Sequence, residues 1–272
     1  MSLESSLMSP SARPPGPLRV LAVDAGNTRV KWGLHDGREW FMRGSFATSA
    51  VGSLEAFSHL PHNPDVDRIM ISNVAGPQVA NAIRDALYNL GKPLTFIEAG
   101  PQQCGVTNRY EPANRLGTDR WAALIAAHVA SPAPRAQLVV MAGTALTVDT
   151  LSSQGVFLGG IIVPGIALMR ASLHHGTALL PDQSGEYQTF PRNTLSAISS
   201  GAIEACSGAV QRMYTHLSAN TGEVPHCIGG GGSMHIIAPH LPFPVTINEH
   251  LVLDGLVAIA LAGADIPPVS AN

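Results

Sequence analysis

Leu18-Arg19-Val20-Leu21-Ala22-Val23-Asp24-Ala25-Gly26-Asn27-Thr28-Arg29-Val30-Lys31-Trp32-Gly33-Leu34 is the stretch from which the fold can be read. Residues 18–23 are a short apolar, β-branched run that predicts a buried strand. Residues 24–28 are turn formers, and polar and apolar residues alternate over 29–34, so the chain is expected to fold back as a hairpin. His35-Asp36-Gly37 supplies the next turn. The same design returns further on: Gln137-Leu138-Val139-Val140 as a strand, Met141-Ala142-Gly143-Thr144-Ala145 as a turn, and Leu146-Thr147-Val148-Asp149-Thr150-Leu151 as a returning strand. A block that repeats together with its flanking strands predicts two related domains facing each other.

Around these blocks, residues 67–74 read as a strand and 94–97 as another. Residues 78–90 have helical spacing with Gly91 at the C-terminal cap. Residues 118–129 predict a helix that buries Trp121, Leu124 and Ile125. The stretch 159–165 leads into a helix stopped at Gly176; 194–217 and 251–262 read as further helices. Strands and helices alternate, which argues an α/β protein. The expected division is a tail at 1–17, rich in Ser, Pro and Gly and without fixed structure, then domains at 18–132 and 133–272, with the Ser131-Pro132-Ala133-Pro134 segment as the joint.

Composition narrows the function. The chain has 272 residues, only 13% of them charged, and a formal net charge of −3. It lacks the basic excess that drives nucleic-acid binding. Its 11 His show no metal-ligand spacing, and its three Cys, Cys104, Cys206 and Cys227, form no CxxC pair, which argues against zinc and a disulfide framework. No apolar run suits a secretory signal. Residues 158–173 are interrupted by Pro164, Gly165 and Arg170 and are too short to span a bilayer. The expected setting is the cytoplasm, with small-molecule partners or a second copy of the chain.

Three clusters could carry chemistry. In Asp24-Ala25-Gly26-Asn27-Thr28, a glycine in a turn lets backbone N–H groups approach a phosphate. Asp24 could hold Mg²⁺, and Lys31 could bring a positive charge; the plain alternative is a hairpin capped by Asp24. Gly143-Thr144-Ala145-Leu146-Thr147 offers a like set of donors from the other half. In Gly117-Thr118-Asp119-Arg120-Trp121, Asp119 sits at a helix start beside Arg120 and is expected to stay ionised. It could accept a hydroxyl proton, or Thr118 and Asp119 could merely cap the helix. Gly229-Gly230-Gly231-Gly232-Ser233 could admit a flat ligand or be a flexible loop.

Taken with Gly159-Gly160-Ile161-Ile162-Val163-Pro164-Gly165, these motifs resemble, over residues 18–262, the type III pantothenate kinases, a group that includes the Bvg accessory factors. The resemblance implies an actin-like ATPase fold of two duplicated ribonuclease-H-like domains. It implies that ATP meets Asp24, Ala25, Gly26, Asn27, Thr28, Arg29, Val30, Lys31 and Thr144, with Mg²⁺ at Asp24. It further implies that pantothenate meets Tyr110, Gly117, Thr118, Asp119, Arg120 and Thr194, and that Asp119 is the catalytic base. A homodimer performing the first step of coenzyme A synthesis is the implied setting. Met141 departs from the pattern: it stands where the family usually has an aspartate for a monovalent cation, and a thioether is a poor ligand for K⁺ or NH₄⁺. The alternatives are a kinase for another small hydroxyl compound and a non-catalytic accessory regulator that keeps the kinase fold.

Overall fold

Val20–Ala25 forms strand β1 and Arg29–His35 strand β2, paired antiparallel from Val20 opposite His35 to Ala25 opposite Val30. The chain is seen here as a computed structural model describing residues 16–53, 56–62, 64–181 and 183–263; all but the last two residues of the 1–17 tail lie outside the described residues. β1 is apolar on both faces because both are covered. Leu21, Val23 and Ala25 enter one core, while Val20 and Ala22 enter another. Trp40–Ala47 (β3) extends the meander at the sheet edge, where most of its residues remain accessible. On the other side, β4 (Arg68–Asn73) and β5 (Leu94–Phe96) run parallel to β1, giving the order β3-β2-β1-β4-β5. Helix α1 (Pro77–Leu87) connects β4 to β5; a 3₁₀ turn follows it and ends at Gly91.

The second sheet begins out of sequence order. Gln102–Gln103 (β6) and Val106–Asn108 (β7) pair with each other, and β7 runs parallel to β10 (Val156–Pro164). Before β10 come helix α2 (Thr118–Val129) and strands β8 (Gln137–Ala142) and β9 (Ala145–Leu151), an antiparallel meander with β10. Then follow α3 (Ile166–Gly176), α4 (Thr194–Thr221), β11 (His226–Gly230), α5 (Met234–Ile237), β12 (Val245–Ile247) and α6 (Leu251–Ala262). The full order is β12-β11-β8-β9-β10-β7-β6. Its part β10-β9-β8-β11-β12 matches β3-β2-β1-β4-β5 strand for strand, with the same directions, so the repeated sequence block is a repeated topology.

The sheets do not separate at 132/133. β6 and β7 precede that point yet complete the second sheet, because the outer edge of β10 takes β7 as its partner. α6 follows it yet packs with α2 on β1 and β4. α6 is apolar nearly all round and buries Leu251, Val252, Leu253, Leu256, Val257 and Ile259, each worth about 1.5–3 kcal/mol when fully buried. It approaches α2 closely at Gly255, where a Cβ would overlap the Ala122 carbonyl.

Candidate active site

The site is built where β1, β4 and α2 end or begin together. Asp24 lies on β1 opposite Lys31 of β2 and Ser72 of β4. Ser72 is fully buried, and its hydroxyl lies 3.0 Å from that of Thr118, so the first turn of α2 hangs on β4 beside Asp24. Burial pushes the Asp24 carboxyl up to about 7; the charge of Asp119 adds to the rise and Lys31 opposes it. Asp119 is also raised, again by burial first, against the Arg120 backbone N–H that donates to its Oδ1 at 2.8 Å and against the Arg120 charge. Burial thus outweighs the Arg120 charge, whose guanidinium is engaged elsewhere. A carboxylate with a raised pKa is a better proton acceptor.

The two glycine-threonine turns meet across the cleft: Thr28 Oγ1 and Thr144 Oγ1 are 2.7 Å apart. Each turn is closed from within, Gly26 N donating to the Arg29 carbonyl at 3.1 Å and Gly143 N to that of Ala145 at 3.0 Å. Thr48 braces the first turn, its hydroxyl donating to the Gly26 carbonyl at 2.7 Å. Gly165 N braces the second by donating to the Thr144 carbonyl at 2.9 Å. Asn27, Thr28 and Arg29 are exposed, with Arg29 Nη2 donating to Ser45 Oγ at 2.5 Å. Ala25 and Val30 are core residues, so only their backbone can face a ligand. Lys31 Nζ donates to the Glu249 carbonyl at 3.1 Å, tying β2 to the segment before α6.

Behind Asp119, Arg120 is 5% exposed and Asp149, on β9, is 1% exposed. Arg120 Nε donates to both Asp149 oxygens, at 3.2 and 3.1 Å, and Nη2 donates to Oδ1. The guanidinium carbon lies 5.7 Å from the Tyr110 ring and 5.9 Å from that of Phe157. Asp149, Ser72 and Phe157 were not marked by the sequence as site residues; the available signal was a lone carboxylate in an otherwise uncharged strand. Thr194, at the start of α4, does not join this group. It lines a separate cavity of about 640 Å³ with Leu173, Leu180 and Arg192, and neither Asp24 nor Asp119 lines it. Met141 is half-buried on β8 opposite Thr147 and Gly230, and the buried Thr147 hydroxyl has no hydrogen-bond partner. Gly229, Gly230 and Gly231 pack closely rather than hang free, and Ser233 N donates to the Ala142 carbonyl at 3.0 Å. Among the described residues no three His, Cys, Asp or Glu side chains are grouped to hold a metal, and no helix is long and apolar enough to cross a membrane.

Comparison with known proteins adds to this geometry. The family model for type III pantothenate kinase matches residues 20–216. A type III pantothenate kinase of Dechloromonas aromatica is 42% identical over 89% of this chain and 99% of its own length. One from Nitrosomonas eutropha is 46% identical over 90% of this chain and 95% of its own. Among solved structures, a Campylobacter jejuni protein named for the Baf family of transcriptional activators superposes with TM-score 0.59 at 20% identity, covering 90% of this chain and all of that one. The ADPNP-bound activator of 2-hydroxyisocaproyl-CoA dehydratase from Clostridium difficile follows at TM-score 0.52 and 11% identity, covering 93% of this chain and all of that one. The fold is that of the actin-like ATPases.

Proposed function

The chain belongs to the type III pantothenate kinase family, and on that premise we propose that it transfers the γ-phosphate of ATP to the hydroxyl of pantothenate, giving 4′-phosphopantothenate and ADP in the first step of coenzyme A synthesis. The observation that carries the reading is the 2.7 Å approach of Thr28 to Thr144, with Asp24 and Asp119 beside the first turn. The turn N–H groups of 24–31, the Thr28 hydroxyl and Thr144 hold the nucleotide phosphates. Phosphoryl transfer depends mainly on positioning and charge neutralisation, and Lys31 contributes positive charge there. Mg²⁺ would supply further neutralisation; one carboxylate, Asp24, together with phosphate oxygens and water is a usual ligand set for it, which suits a site without a cluster of three acidic side chains.

Asp119 accepts the proton of the pantothenate hydroxyl as its oxygen attacks the γ-phosphorus and the bond to the ADP oxygen breaks. Tyr110, Gly117, Thr118 and Arg120 hold the body and carboxylate of pantothenate. Thr194 would meet the substrate through a second subunit: Leu173 is exposed at its cavity, and Leu168, Leu179 and Phe190 also leave large apolar side chains exposed, which favours a homodimer. Met141 gives a monovalent cation no carboxylate, so the reaction is expected to run without K⁺ or NH₄⁺. The described cysteines are all free thiols, in keeping with a cytoplasmic enzyme. An accessory regulator without catalysis is disfavoured by the retention of Asp24, Asp119 and Thr144.

The test is purified protein with ATP, Mg²⁺ and pantothenate, with and without K⁺, scored for phosphopantothenate. Product at the same rate in both arms is the expected result. No product under any cation condition would overturn the function, and product only with K⁺ would overturn the reading of Met141.

A further inference from the structure

Asp149 is not used in the reaction just described, yet it carries a buried ion pair directly behind the base. Such a pair is a weak source of stability, because desolvation offsets most of the attraction, so its geometry calls for another reason. Two features supply one. The neighbouring strand has been cleared for the pair: Gly160 lies opposite Asp149 in the β9–β10 register, and a Cβ there would overlap Asp149 Oδ1 and come within 2.9 Å of Arg120 Nη2. The guanidinium is also enclosed by rings, with Tyr110 and Phe157 stacked 6.4 Å apart and both within 6 Å of it. The contact to Asp149 is made side-on through Nε and Nη2, and Nη1 takes no part in it.

We propose that Asp149 is a positioning residue of the phosphoryl transfer: by gripping Arg120 side-on it fixes the first turn of α2, where Asp119 stands, and turns the other edge of the guanidinium, on the Tyr110 side, toward the carboxylate of the acceptor. The inference rests on the reading of the chain as a pantothenate kinase. It also gives the Gly159-Gly160 segment a purpose beyond leading into α3. Asp149 is placed to touch neither substrate and acts mainly through Arg120, although its charge also reaches Asp119.

That last point sets the test. Steady-state kinetics with ATP and pantothenate are measured for wild type, Asp149→Asn, Arg120→Gln and the double variant, each checked for folding by circular dichroism. Asp149→Asn is expected to lower kcat/KM for pantothenate on the order of 100-fold, the cost of a small misplacement, with KM for ATP unchanged. Adding Asp149→Asn to Arg120→Gln is expected to cost nothing more, because two residues acting through one contact are not additive. A folded Asp149→Asn with wild-type kcat/KM overturns the proposal, and so does a clear further loss in the double variant. If Asp149→Asn alone does not fold, Arg120→Gln and the double variant, in which no charge is left unpaired by Arg120, decide the matter on the same terms. A wild-type protein that makes no phosphopantothenate overturns the function and this inference together; an active wild type whose variants depart from these expectations overturns the inference alone.

Discussion

At the end of β1 stands Asp24, beside Lys31 and Ser72; at the matching end of β8 stands Met141, beside Thr147 and Gly230. The surroundings are otherwise alike. Each residue precedes an alanine and a glycine, each glycine N–H closes its turn, and each hairpin sits in the same five-strand order. At the turns themselves only the first copy is charged; the carboxylate of the second, Asp149, lies further along β9 and is taken up by Arg120. Asp24 sits in the field of a second carboxylate on α2, whereas the second turn offers backbone N–H groups and the Thr144 hydroxyl. Duplication thus supplied two equal cradles, and the reacting charges were gathered at one of them. The other is left to bind.

The sharpest way to break this comparison is to neutralise the carboxylate that stands over the first copy and to replace the thioether of the second. Asp119→Asn is expected to lower kcat on the order of 10²–10⁴, the usual range for a positioned proton acceptor, with KM values nearly unchanged. Met141→Leu, a swap of similar volume, is expected to leave turnover near wild type. Equal losses in the two variants would end the division of labour.

A smaller effect tests the contact between the turns. Thr28→Val or Thr144→Val each removes the bond that joins them, worth about 0.5–1.5 kcal/mol net. KM for ATP should therefore rise by up to about tenfold, and the double variant should lose less than the sum of the single losses. Strict additivity would show that the hydroxyls act separately.

A further effect is on stability rather than turnover. The folded chain holds the Asp24 proton more tightly than the unfolded chain does, about 7 against 3.8. The stability this proton contributes is complete below the lower value and is lost as pH rises through the upper one. Asp24→Asn should flatten that part of the profile and raise the melting temperature of the ligand-free protein above neutral pH while abolishing activity. Melting curves recorded from about pH 5 to about pH 8 check the sign; a variant that melts earlier than wild type at the alkaline end refutes it.

Local pattern carried much of the fold. The helix expected at 118–129 is observed as Thr118–Val129, and that at 251–262 as Leu251–Ala262, because both are sustained apolar runs with abrupt ends. The paired hairpins were legible because turn formers sit between apolar runs. Gln102–Gln103 and Val106–Asn108 were not, since strands so short and polar have no period to detect, and their pairing to β10 lies far along the chain. Trp40–Ala47 is an edge strand without a continuous buried face. The same limit holds at the site. Asp24, Asp119 and Thr144 announce themselves within short motifs, but the Arg120–Asp149 pair joins residues 29 apart and Ser72–Thr118 joins residues 46 apart. No local window contains both partners.

α6 closes over α2 and β1 from the far end of the sequence. A ribosome releases the base-bearing helix long before the segment that covers it, and domains made early normally fold early. Here the early half has to wait, holding Trp121, Leu124 and Ile125 with their cover still unmade. Chains cut short by premature stops upstream of Leu251 would therefore spend no ATP, and would expose an apolar face that quality control can recognise.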